Sequence, residues 1–142
     1  MADQSDLDQA YIKMAHVWAT LSKAKRKQVG CLIVKGQAII SDGYNGTPTG
    51  FSNTCEDKDD FGQLVTRPEV LHAESNAVTK LAKSTQSSDG ATMYITAAPC
   101  IDCAKLIIQS KIKRVVYDEL YKSEQGIALL KKAKIEVESI ND

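Results

Sequence analysis

Two short stretches, His72-Ala73-Glu74 and Pro99-Cys100-Ile101-Asp102-Cys103, restrict the folds open to this chain more than anything else in it. Together they carry one imidazole, two thiols and a spare carboxylate. A zinc site needs four donors. A zinc site that does chemistry takes three from the protein and leaves the last position to water. The carboxylate is then available to move protons to and from that water. Two segments far apart in sequence must therefore be delivered to one point.

The rest of the chain shows how. Ser5 and Asp8 have capping-box spacing, and Leu7, Ala10, Tyr11, Met14, Ala15, Trp18 and Leu21 recur at three and four residues, predicting a helix to about Lys23. His16 falls off that stripe and reads as a surface residue. The basic run Ser22 to Lys27 is either a solvated helix end, its cations complementing the macrodipole, or a phosphate clamp. Val29–Val34 and Ala38–Ser41 read as a hairpin turning at Lys35-Gly36-Gln37. The connection from Gly43 to Thr66 is rich in turn formers, shows no regular element, and is long for a compact domain.

Thr66-Arg67-Pro68-Glu69 has capping-box spacing and predicts a helix through Leu81, with Val70, Leu71, Ala77, Val78 and Leu81 on one face. Glu74 falls inside that stripe, where an unpaired carboxylate is costly and needs compensation. Residues two apart do not share a helix face, so His72 and Glu74 can serve one site only if it lies over the helix start. Strands follow at Thr92–Thr96, Lys113–Tyr117 and Ile135–Glu138, and helices at Cys100–Ile108 and Gln125–Ala133. The order α-β-β-α-β-α-β-α-β implies an α/β fold: a three-layer α-β-α sandwich around a mixed five-stranded sheet, its later strands parallel. Cys100 and Cys103 then open a helix, where orphan N–H groups favour thiolate, at the C-terminal side of the sheet where such folds place their sites.

Composition removes several classes. The 142 residues suit one domain, 1–142, with no linker or repeat. Lys plus Arg and Asp plus Glu number 18 each, which argues against broad binding to nucleic acid. No apolar run approaches the roughly 20 residues that span a bilayer, and the acidic, polar start is unlike a signal or transit peptide, so a cytoplasmic location is expected. Of four cysteines, Cys31 reads as a small buried group and Cys55 as a loop residue without a partner. A structural zinc would want a second Cys or His pair, which two single cysteines and two histidines do not supply. A thioredoxin-type pair would leave His72 and Glu74 unexplained.

H-x-E with a later P-C-x-x-C is the signature of zinc nucleobase deaminases. In that chemistry Glu74 takes a proton from water, water attacks a ring carbon bearing an amino group, and Glu74 helps ammonia leave.

Taken with Gln28-Val29-Gly30-Cys31, Gly43-Tyr44-Asn45-Gly46-Thr47-Pro48, Ala91-Thr92-Met93-Tyr94 and Lys111 to Tyr117, these motifs make the chain resemble the deoxycytidylate (dCMP) deaminases, a branch of the cytidine deaminase superfamily, from about Tyr11 to Ile140. The resemblance implies conversion of dCMP to dUMP for thymidylate synthesis. It implies zinc on His72, Cys100 and Cys103 and a proton shuttle at Glu74. It implies substrate contacts at Ser22, Lys25, Arg26, Asn45, Ala73 and Tyr121, with Asn45 on the deoxyribose and the basic run as phosphate clamp. It further implies a hexamer activated by dCTP with Mg2+ and inhibited by dTTP, through Tyr44, Gly46, Glu56 and Asp57. The insert lacks histidine, so one zinc per chain is expected. Rival readings are a deaminase of nucleosides, of guanine or of adenosine in transfer RNA, and a catalytically idle zinc protein that senses dCTP or dTTP.

Overall fold

The middle strands are apolar on both faces and each helix carries an apolar stripe, so a layered arrangement is what buries them. The computed structural model of the chain describes residues 2–120 and 124–141. Its elements run α1 (Gln4–Ala19), β1 (Gly30–Lys35), β2 (Ala38–Tyr44), β3 (Glu56–Lys58), β4 (Leu64–Thr66), α2 (Ala73–Leu81), β5 (Thr92–Ala97), α3 (Ile101–Gln109), β6 (Arg114–Glu119), α4 (Gln125–Lys132) and β7 (Glu136–Ser139). Five strands form one sheet in the order β2-β1-β5-β6-β7. β1 is antiparallel to both neighbours, while β5, β6 and β7 run parallel.

Alternation along the strands sorts two cores. Leu32, Val34, Tyr94 and Val116 meet Tyr11, Ile12 and Ala15 of α1 on one face. Cys31, Ile33, Met93, Ile95 and Val115 meet Ala77 and Leu81 of α2, Ala104 and Ile107 of α3, and Leu130 of α4 on the other. The three-layer sandwich around a mixed sheet is therefore the observed fold. The β1–β2 turn is tight because Gly36 and Gln37 both take positive φ, 58° and 63°, matching the twist of the flanking strands.

Four expectations need correcting. The capping box of α1 is formed by Asp3 and Asp6, not Ser5 and Asp8. Asp8 is instead buried, accepting from both terminal nitrogens of Arg114 and from the Tyr94 hydroxyl. That pairing rotates the buried stripe of α1 to Asp8, Tyr11, Ile12, Ala15 and Ala19, and leaves Met14 45% exposed. α1 ends at Ala19, so the basic run lies outside it. The helix expected from about Thr66 begins only at Ala73. Thr66 belongs to β4, and Leu71 exchanges both backbone hydrogen bonds with Gly46, which holds the stretch extended. Finally, the long connection holds a hairpin, β3 with β4, in which Glu56 faces Thr66. Its turn is organised by Asp59, whose Oδ1 accepts the amides of Phe61 and Gln63.

Candidate active site

His72 is the N-cap of α2 (φ −75°, ψ 158°), and Cys100 is the N-cap of α3 (φ −71°, ψ 172°). Both are extended, so neither obeys helical spacing. His72 stands ahead of the helix and Glu74 within its first turn, and the two-residue separation ceases to be an obstacle. His72 Nδ1 lies 3.2 Å from Cys103 Sγ and 3.5 Å from Cys100 Sγ. The ligating atoms of the three residues all fall within 4.8 Å of one another. One nitrogen and two soft sulfurs converging on a point are a donor set that zinc takes, with a position to spare. Hydrogen bonds from Cys103 and then His72 pull the Cys100 thiol down to about 4, against burial. The hydrogen bond to Cys100 pushes Cys103 the other way. The His72 imidazole is in turn drawn toward its protonated form by the hydrogen bond to Cys100.

Two close approaches fix these segments. A Cβ on Gly43 would stand 2.4 Å from the Ala73 carbonyl oxygen, so β2 presses directly on the first turn of α2. A Cβ on Gly126 would stand 2.0 Å from the Pro99 carbonyl oxygen, so α4 backs the turn that presents Cys100.

Glu74 is 4% exposed. Burial pushes its carboxyl up to about 7, opposed by its own backbone amide, by the His72 charge and by a hydrogen bond from Cys103. A carboxyl poised near neutrality can both take and give a proton.

His72, Ala73, Glu74 and Cys100 open onto a cavity of ≈ 210 Å³. Val29, Val70, Ala97 and Ala98 supply its apolar lining, and Arg26, Lys27, Glu56 and Thr66 its polar lining. Arg26, Asn45 and Ala73 line the cavity. Asn45 is spoken for by the backbone: Nδ2 donates to Lys27 O and Oδ1 accepts from Val29 N, both at 2.8 Å. Ser22 is buried, its hydroxyl donating to Asn45 O at 2.8 Å and accepting from Ala24 N. Among the described residues, Ser22 and Lys25 are not in the cavity lining. Tyr121 lies outside the described residues.

The four effector candidates are not brought together. Tyr44 and Gly46 line a second concavity with Asn76, Lys80 and Lys83. Glu56 lines the first cavity, and Asp57 pairs with Arg67 Nε at 2.9 Å. Sequence reasoning missed Thr66 and Val70 as lining residues and reached Lys27 only as part of the basic run. The run of turn formers hid the hairpin, and Val70 looked like a helix residue.

A layered α/β domain with a His-Cys-Cys donor set and a buried glutamate at the end of β5 has the make-up of a metal-dependent hydrolytic deaminase. The family profile described as "Cytidine and deoxycytidylate deaminase zinc-binding region" matches residues 5–119. Deoxycytidylate deaminase of Enterobacteria phage T4 is 34% identical, across 89% of this chain and 86% of that protein. The deoxycytidylate deaminase of Schizosaccharomyces pombe is 32% identical across 89% of this chain, which spans only 41% of that longer relative. The crystal structure of dCMP deaminase from the cyanophage S-TIM5, in complex with dCMP and dUMP, superposes with a TM-score of 0.89 at 40% identity, covering 97% of this chain and 99% of that one. The chain belongs to the cytidine and deoxycytidylate deaminase family. No helix among its described residues is long and apolar enough to cross a membrane.

Proposed function

We propose that the protein hydrolyses dCMP to dUMP and ammonia. The observation that carries this is Glu74, buried, held near neutrality and lining one cavity with His72 and Cys100, which cluster with Cys103. Zinc on those three residues would supply the Lewis acidity that makes water a nucleophile near neutral pH. Glu74 accepts the proton that water loses as its oxygen bonds to C4 of the cytosine. Glu74 passes that proton to ring N3. A second proton moves through the same carboxyl to the amino group, the C4–N bond breaks, and ammonia departs. Val29, Val70, Ala97 and Ala98 exclude bulk water around the base. Asn45 keeps the 27–29 wall in place, and the Arg26 side chain provides positive charge for the 5′-phosphate, while Lys27 pairs with Glu119. The charge set favours a nucleotide over a free nucleoside.

The dUMP formed is a precursor for thymidylate. Activation by dCTP with Mg2+ and inhibition by dTTP would act at the second concavity, where Tyr44 and Gly46 meet Lys80 and Lys83. Assembly into a homohexamer in the cytoplasm would cover exposed apolar side chains such as Met14 and Val17. Ammonia release from dCMP, deoxycytidine, guanine and transfer RNA tests the central reading. Release from dCMP at a kcat/KM at least about tenfold above the others is expected. Equal or faster turnover of any other substrate sinks it.

A further inference from the structure

One arrangement beside the cavity has no part in the reaction itself. Both the Lys25 and the Arg26 backbone amides donate to the same oxygen, Oε2 of Glu56, at 2.9 and 3.0 Å. Glu56 is 8% exposed. Its partner across the hairpin is Thr66, and Thr66 Oγ1 accepts from Arg26 Nη1 at 3.1 Å. One cross-strand pair therefore grips Arg26 at both its backbone and its guanidinium. The base of the hairpin is tied in turn to the chain leading into the site, since Arg67 N donates to Cys55 O at 2.8 Å. Residues 22–29 form no helix or strand before Gly30; Asn45 holds the Lys27 and Val29 end, and Glu56 the Lys25 and Arg26 stretch.

A carboxylate in a cavity built to accept a phosphate is electrostatically adverse on its face. It is tolerated if it fixes the geometry of the cations that the phosphate needs. We infer that Glu56 is a positioning residue, whose carboxylate, with Thr66, pre-organises the chain at Lys25 and Arg26 so that Arg26 faces the anion of the substrate. This rests on the nucleotide-hydrolase reading above, and it assigns the β3–β4 hairpin a part in substrate recognition.

The two roles open to Glu56 predict opposite signs. If its charge alone mattered, removing it would tighten anion binding. If it positions the loop, removing it weakens binding. The measurement is calorimetric affinity for dUMP with Glu56→Ala and Glu56→Gln. It is accompanied by amide hydrogen exchange at Lys25 and Arg26, which needs no turnover and no ligand. Loss of two charge-assisted hydrogen bonds should weaken dUMP binding by about tenfold or more in Glu56→Ala and speed exchange at both amides by a similar factor. Glu56→Gln keeps an oxygen acceptor and should bind within about threefold of wild type or tighter. For dCMP turnover the Ala variant should raise KM with kcat within about threefold. Tighter binding in Glu56→Ala, or unchanged exchange at Lys25 and Arg26, overturns the inference. A wild-type protein that releases no ammonia overturns the hydrolase reading instead, and the exchange data still decide whether Glu56 holds the loop.

Discussion

At the scale of single residues, Glu74 is the group proposed to move the protons, and burial sets its proton affinity. Replacing it with Gln keeps the volume but removes the proton acceptor. Deaminase activity should fall by about 10²- to 10⁴-fold, while thermal melting and bound metal stay near wild type. Activity surviving at a tenth of wild type would show that another group moves the proton. That His72, Cys100 and Cys103 would meet was legible from residue type and spacing alone, because ligand chemistry admits few side chains. Resemblance singled out Asn45, which lines the cavity, but its bonds to Lys27 O and Val29 N were not legible, since an amide's partners depend on which strand ends meet.

At the scale of elements, the site is an assembly of helix openings pressed against strands. Gly126 shows how tight that assembly is. In an exposed helix an Ala in place of Gly would gain about 1 kcal/mol. Here a methyl would meet the Pro99 carbonyl oxygen at 2.0 Å, and backbone cannot swing aside as a side chain can. Gly126→Ala should therefore cost about 1–3 kcal/mol in urea unfolding and lower the zinc content of the purified protein, as α4 pushes on the Cys100 turn. A stabilised variant with full metal would show that α4 does not bear on the site. Helices and strands were read from apolar periodicity, and the main sheet agreed. The start of α2 was misplaced because Thr66-Arg67-Pro68-Glu69 imitates a cap. The pairing of Gly46 with Leu71, a long-range backbone contact, overrides that local preference. The hairpin of β3 and β4 escaped because strands of three residues carry almost no periodic signal.

At the scale of the whole molecule, two features govern stability. Arg114 joins α1 to the sheet through Asp8 at 2.6 Å and also pairs with Glu136 and Glu138. Burial alone would raise the Asp8 carboxyl. Hydrogen bonds from Arg114, Tyr94 and Gln4 outweigh it and hold Asp8 below the ordinary aspartate value. The stability that this contributes is complete above the unfolded value of about 4 and is lost as pH falls through the lower folded value. Asp8→Asn should cost about 3 kcal/mol at pH 7, and the difference in melting temperature from wild type should shrink below about pH 4. A difference that does not change with pH would remove the carboxylate from the account. Metal removal acts elsewhere. The core on the α2, α3 and α4 face is built from Ile33, Met93, Ile95, Ile107, Val115 and Leu130 and does not run through His72 or Cys100. A chelator should therefore abolish ammonia release while far-UV circular dichroism keeps its folded form; collapse of the spectrum would show that the ion holds the fold together.

The amino-acid order by itself determined the α/β class and brought His72, Cys100, Cys103 and Glu74 forward as candidates, because periodicity and donor chemistry are local properties of the chain. Only the folded chain decided that Glu56 and Thr66 hold Arg26, that Ser22 is committed to Asn45, and that Tyr44 and Gly46 face a different concavity from Glu56. Those are contacts between residues far apart in sequence, and the free energy that selects them comes from burying and satisfying polar groups in a packed interior, which no single stretch encodes.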